Sequence, residues 1–255
     1  DTRVTLSNVG TQEAAVHLFF FDRSCNQADT FVCLTPNASI SIKASEFDPD
    51  VKGGWLLAIG VTRNGLPFNY NSLIGNAFVN SGDEVGNYGA EAIRDFTPGA
   101  VANDPTQATI TFNAPTRLAV EIQSPNDALG QKIVTVGLSG SITDMKVSGA
   151  GHTGIGELYN GNEKPFGSFS KLLTDGCRAE ATISTTVPRV PLGLGVLIPS
   201  GHIGTLKWNS GPSVGLIMTP KTAKWSGIRA LHKTRQTPTR LTIPVFNPGV
   251  CGLNP

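Results

Sequence analysis

The chain has 255 residues and a formal net charge of +1, a length that suits one large all-β domain or two of about 100–150 residues. Charged residues are 15% and hydrophobic ones 39%, which excludes a disordered polyelectrolyte. No apolar run approaches the roughly 20 residues of a helical membrane span. The 29 Gly and 17 Pro supply frequent turns.

Strand patterns begin at once. Arg3–Ser7 alternates, and Ala14–Phe21 reads A-A-V-H-L-F-F-F, a strand expected to be buried on both faces. Thr30–Leu34 and Ser39–Lys43 flank a Pro36-Asn37 turn, the second with strict period two. Ala44–Asp48 predicts one helical turn closed by Pro49. Gly54–Thr62 is a core strand, Asn64-Gly65 a hairpin turn, and Leu73–Val79 a further strand. Gly89–Arg94 is the other short helix candidate.

Asp95–Gln107 carries two prolines and several turn residues, and predicts a break. The expected organisation is a β-sandwich unit over 1–100, a linker over 101–107 and a larger sandwich unit over 108–255. Strands resume at Ala108–Phe112, Thr116–Gln123, Lys132–Leu138, Ile142–Val147 and Ser168–Leu173. Ala179–Thr186, Gly193–Ile198, His202–Trp208, Val214–Thr219 and Arg240–Phe246 follow. So many short strands between Gly/Pro turns predict an all-β fold of two antiparallel sandwich-like units in tandem, with very little helix. The stretch Cys33–Ile40 echoes Val196–Ile203: in both, a strand ends at Leu-x-Pro, turns and restarts at Ile.

Cys25, Cys33, Cys177 and Cys251 permit three pairings. No C-x-x-C spacing is present, so disulfides are expected rather than zinc or redox chemistry. The spacing favours Cys25–Cys33, closing a hairpin loop, which leaves Cys177–Cys251 to pin the C-terminus. Two disulfides imply an oxidising compartment. The chain opens at Asp1 directly in a strand, which reads as the mature form of an exported protein.

Charge is unevenly placed. No Asp or Glu follows Glu180, while that stretch holds eight Lys and Arg; residues 1–180 hold 12 Lys and Arg against 19 Asp and Glu, a balance of −7. Lys221, Lys224, Arg229, Lys233, Arg235 and Arg240 crowd into twenty residues and form a candidate basic interaction face. Head-to-tail attraction between unlike faces, or capture of an anionic polysaccharide, would use it. An exported disulfide protein is not expected to meet nucleic acid.

The remaining motifs favour structural roles. Gly211-Pro212-Ser213-Val214-Gly215 matches G-x-S-x-G, but a strand rather than a helix is expected after the serine, and no acid follows to complete a triad. His17, His152, His202 and His232 are scattered without metal-ligand spacing, and His17 sits mid-strand in apolar company. Asp48-Pro49-Asp50 with Glu46 and Gly53, and Asp83-Glu84, lack a calcium-loop pattern. Trp55 and Trp208 lie in apolar strands and are assigned to the core, whereas Trp225, in T-A-K-W-S-G, is the candidate exposed aromatic. Tyr70 and Tyr88 flank a Gly/Asn-rich segment. No catalytic residue, metal or cofactor is assigned.

Several segments resemble a group of uncharacterised secreted bacterial proteins. They are Val16–Asp22, Ser24-Cys25, Ala28–Asn37, Ile198–Trp208, Leu231-His232-Lys233 and Leu241–Phe246 with Cys251 behind. The resemblance implies export and a bacterial source and brings no activity. The expected function is a secreted structural or adhesive protein, a self-assembling subunit of an extracellular filament or surface layer, partnered by copies of itself or another surface protein. A glycan-binding module and a hydrolase of unrecognised type are the alternatives.

Overall fold

The computed structural model describes residues 1–47, 53–80, 82–93, 96–99, 104–142, 152–173, 177–183, 193–221, 226–249 and 251. Strands β1 (Thr2–Asn8), β2 (Ala14–Asp22), β3 (Gln27–Leu34) and β4 (Ser39–Lys43) lead to a 3-10 turn at Ala44–Glu46. Next come β5 (Gly54–Val61), β6 (Leu73–Asn80), β7 (Val85–Gly89) and the two-residue β8 (Thr97–Pro98). Beyond them lie β9 (Gln107–Gln123), β10 (Lys132–Gly137), β11 (Gly140–Ser141), β12 (His152–Tyr159), β13 (Pro165–Leu173) and β14 (Arg178–Thr182). A single helical turn, α1 (Leu194–Leu197), precedes β15 (Ile203–Asn209), β16 (Ser213–Thr219), β17 (Gly227–Ala230) and β18 (His232–Pro244).

Four sheets result: β4-β1-β6-β7, β3-β2-β5, β14-β10-β16-β17, and the largest, β11-β18-β9-β15-β12-β13 with β8 on β9. All described pairings are antiparallel except β11 with β18. The fold is all-β and sandwich-like, as the strand pattern predicts.

The apolar run of β2 explains the layering. All nine residues are buried. Ala15, Phe19 and Phe21 face one core, shared with Ala108, Ile110 and Phe112 of β9 and Leu241 and Ile243 of β18. The alternate residues Ala14, Val16, Leu18 and Phe20 face a second core with Leu6 of β1 and Ile40 and Ile42 of β4. The β3-β2-β5 sheet is therefore a middle layer, and a middle layer has no polar face. Each large side chain fully buried this way contributes about 1.5–3 kcal/mol. A third core gathers Leu118, Val120 and Ile122 of β9 around Trp208, Leu206 and Leu158.

Core and crosslinks run across residues 101–107. β2 packs on β9 and β18, and β8 pairs Thr97 with Thr111 of β9. Asp104 accepts from Thr106 N at 2.8 Å and starts the turn into β9.

The disulfide pairing differs from the one the spacing favours. The bonds are Cys25–Cys177, with Cα atoms 5.2 Å apart, and Cys33–Cys251, at 5.5 Å. The reason is local. Cys25 lies in the β2–β3 turn, in the left-handed region at φ 67°, where the Asp22 carboxylate accepts from Ser24 N, Asn26 N and Asn26 Nδ2. Cys33 is near the far end of β3, opposite Ala15. Six extended residues cover about 20 Å, far beyond the ~6.8 Å that a disulfide allows between Cα atoms.

Other boundaries also shift. Gly193–Ile198, expected as a strand, holds α1 instead, with Ile198 N donating to Leu194 O at 2.9 Å; the echo with Cys33–Ile40 is therefore one of sequence and not of conformation. Gly89 ends a strand, and residues 90–93 are not helical. β9 runs unbroken through Pro115, which stands opposite Gln236 where the β18 register shifts, the setting in which a sheet tolerates proline. β7, β8, β11, β12 and β17 have no counterpart among the predicted strands. Ile142–Val147 and Ala179–Thr186 fall partly outside the described residues.

Candidate interaction surfaces and an internal cavity

The six residues of the expected basic face do not act alike. Arg229 donates from Nη1 to Glu121 Oε2 at 3.1 Å and from Nη2 to Glu121 O at 2.9 Å. Lys233 Nζ lies 2.6 Å from Glu91 Oε1. These two charges are matched within the chain, in partly exposed pairs worth about 0–1 kcal/mol each. Lys221 is exposed, and its backbone N–H donates to Asp83 O. Arg235 and Arg240 are exposed on β18 and make no ion pair among the described residues. Lys224 and Trp225 lie outside the described residues.

The register adds one cation that the sequence reading missed. Arg117 of β9, also exposed, stands opposite Arg235. Like charges placed opposite one another cost stability; Arg117 and Arg235 form such a pair, and the basic stripe continues to Arg240, opposite Thr111. Arg117 is remote in sequence from the other two, and no local pattern points to it.

The remaining candidates resolve into structural roles. Ser213 is buried, its Oγ 2.6 Å from Ser210 Oγ, and it opens β16 rather than a strand-to-helix elbow. His17 is fully buried, with Nε2 2.8 Å from Asp29 Oδ2 and its ring stacked on Phe31 at 4.1 Å; Nδ1 has no partner. His202 and His232 are exposed and far apart in the fold, and the His152 side chain is outside the described residues. Residues 48–50 are also outside. Glu84 pairs with Lys132, and Glu46 with Lys43 at 3.9 Å. Among the described residues no three His, Cys, Asp or Glu side chains converge as metal ligands. Trp208 is 1% exposed, and Trp55 stacks on Phe21 at 4.2 Å; both belong to the core. Tyr70 donates to Asn8 Oδ1 at 2.7 Å.

Two surfaces bear on association. β13 ends the largest sheet and, among the described residues, pairs with β12 alone. It runs nine residues with Ser168, Ser170 and Lys171 exposed. On the β4-β1-β6-β7 sheet, Ile74 and Phe78 of β6 and Val85 of β7 are exposed. Val85 lies diagonally from Phe78, which opposes Asn87, within reach across the strands.

Between the β4-β1-β6-β7, β3-β2-β5 and β14-β10-β16-β17 sheets lies a cavity of about 730 Å³. Apolar side chains dominate its wall, among them Leu18, Phe20, Leu56, Ala77, Met218 and Ile228. Its exposed lining residues gather in the segment after β7, Gly89 to Ala92, which includes Glu91, and at Asn71, Ile74 and Asn76; these mark the mouth. The polar lining includes Tyr88 and Arg178. Burial raises the Tyr88 phenol above its ordinary range, against the opposing charge of Arg178.

Arg178 belongs to a charge network. It contacts Glu180 at 2.5 Å, Arg23 lies 3.4 Å from the same carboxylate, and Lys132 bridges Glu180 and Glu84. Among the described residues three cations thus share two carboxylates. The Nε of Arg178 is buried and has no acceptor.

No family model matches the sequence, and no curated protein matches it. Two crystal structures of Parabacteroides merdae β-glucuronidase, one with glycerol in its active site, align at 10% identity and a TM-score of 0.13, over 95% of this chain and 25% of that one. The chain spans about a quarter of the glucuronidase length, and at that score the likeness carries no argument about fold or activity.

Proposed function

We propose that the chain is an extracellular structural or adhesive protein that associates with copies of itself by strand addition at β13. The observation that carries this reading is that β13, a nine-residue strand at the end of the largest sheet, pairs with β12 alone among the described residues. Unpaired main-chain groups in a row are a template for another strand, and main-chain hydrogen bonds supply the strength. The single lysine of β13 is at position 171, so the strand carries little of the charge that blunts natural edges. The sparse overall charge keeps desolvation low when such a face is covered. The two disulfides suit an oxidising, extracellular setting.

Addition of the same edge to a non-equivalent surface is heterologous, so growth continues as a ring or filament. The experiment is light scattering on wild type and on Ser168→Lys/Ser170→Lys. Wild type should assemble and the variant should remain small; equal assembly by both would remove β13 from the interface.

The Arg117–Arg235–Arg240 stripe supports a second reading, retention of an anionic polysaccharide. Binding to a sulfated or uronic-acid polymer that weakens with salt would favour it.

A further inference from the structure

We propose that the internal cavity is a binding site for a single long-chain carboxylate, with the anionic head at Arg178 and Tyr88 and the chain laid among Leu18, Phe20, Leu56 and Ala77.

Size and lining come first. At about 730 Å³ the cavity falls within the roughly 300–1,000 Å³ of small-molecule sites, which combine apolar walls with a few polar groups that fix orientation. Water gains little in such a place, because it needs two to four polar partners. An alkyl chain needs none.

Charge selects the head group. Among the described residues Arg23, Arg178 and Lys132 share Glu84 and Glu180, and Arg178 is the cation that lines the cavity. A carboxylate head beside Arg178 gains a charge-assisted hydrogen bond. Tyr88 lines the same cavity, and its phenol is a second donor.

The mouth is built from the segment after β7, and Lys233 holds Glu91 there at 2.6 Å. The tie fixes this segment to β18 without filling the cavity.

The test is isothermal titration with hexadecanoate below its micellar range, against hexadecan-1-ol of the same chain length. The acid should bind one per chain and at least about tenfold more tightly than the alcohol, the factor expected for one charge-assisted hydrogen bond. Arg178→Met should remove that preference while leaving alcohol binding intact. Ala58→Phe, which enlarges the side chain opposite Leu18 and beside Leu56, should weaken both ligands. Absence of saturable binding to wild type, or equal affinity for acid and alcohol, overturns the assignment. Neither comparison on wild type depends on a variant folding, and neither depends on self-association.

Discussion

Cys33 is joined to Cys251, 218 residues away, and this bond interleaves with Cys25–Cys177, whose partners are 152 apart. Each bridge therefore closes its loop through the other. Once the first forms, only the 8 residues from Cys25 to Cys33 and the 74 from Cys177 to Cys251 separate the second pair. Loop closure depends on the logarithm of length, so the two bonds should contribute similarly, about 2–4 kcal/mol each. Chemical denaturation of Cys25→Ser/Cys177→Ser and of Cys33→Ser/Cys251→Ser should show comparable losses. Non-reducing peptide mapping should recover these two pairs; a Cys25–Cys33 peptide would contradict the interleaving.

The buried His17–Asp29 pair predicts an asymmetry between two variants. His17 has one bonded nitrogen and one without a partner. Asp29→Ala would leave the whole ring unsatisfied in the core and should cost about 1–3 kcal/mol. His17→Phe removes both polar atoms beside Phe19 and Phe31 and should cost less. Equal losses in thermal unfolding would argue that the bond to Asp29 is immaterial.

Gly154 and Trp208 make a packing prediction. A Cβ on Gly154 would overlap the Trp208 ring directly, and that ring is fully buried. Gly154→Ala should destabilise by about 1–3 kcal/mol through overpacking. A paired Gly154→Ala/Trp208→Phe variant should recover part of the loss, whereas a simple sum of the two single effects would contradict direct contact.

Tyr88 sets the alkaline limit in part. Its phenol is raised, chiefly by burial, with Arg178 opposing. Above the ordinary tyrosine value of about 10 the unfolded chain releases this proton before the folded one does. The folded state then binds more protons, and stability falls as pH rises through that value until the folded group also titrates. Tyr88→Phe should flatten the slope. Absorbance titration should show a late phenol ionisation that is missing from the variant.

Much of the fold was legible because burial and period coincide. Ser39–Lys43 alternates and is a strand with one face out; Ala14–Phe21 is apolar throughout and lies in a middle layer. β12 gave no such signal, since Gly154 and Gly156 stand where Trp208 and Phe169 need space, and glycine carries no periodicity. β9 appeared as two strands because Pro115 usually breaks pairing, and the compensating register shift lies on another strand. The disulfides were misassigned because sequence distance is a poor guide where a turn and a strand hold two cysteines apart. The basic stripe was half visible. Arg235 and Arg240 lie five residues apart on one strand, but Arg117 joins them only through the β9–β18 register, and the cations of Arg229 and Lys233 are taken up by acids far away in the chain.

Self-association is tested most directly by sedimentation velocity of the unaltered, fully oxidised protein over a wide range of concentrations at physiological salt. Strand addition at β13 predicts boundaries that move to larger sizes as concentration rises, without stopping at a dimer. One boundary fixed at the 26.8 kDa monomer across the range would contradict it.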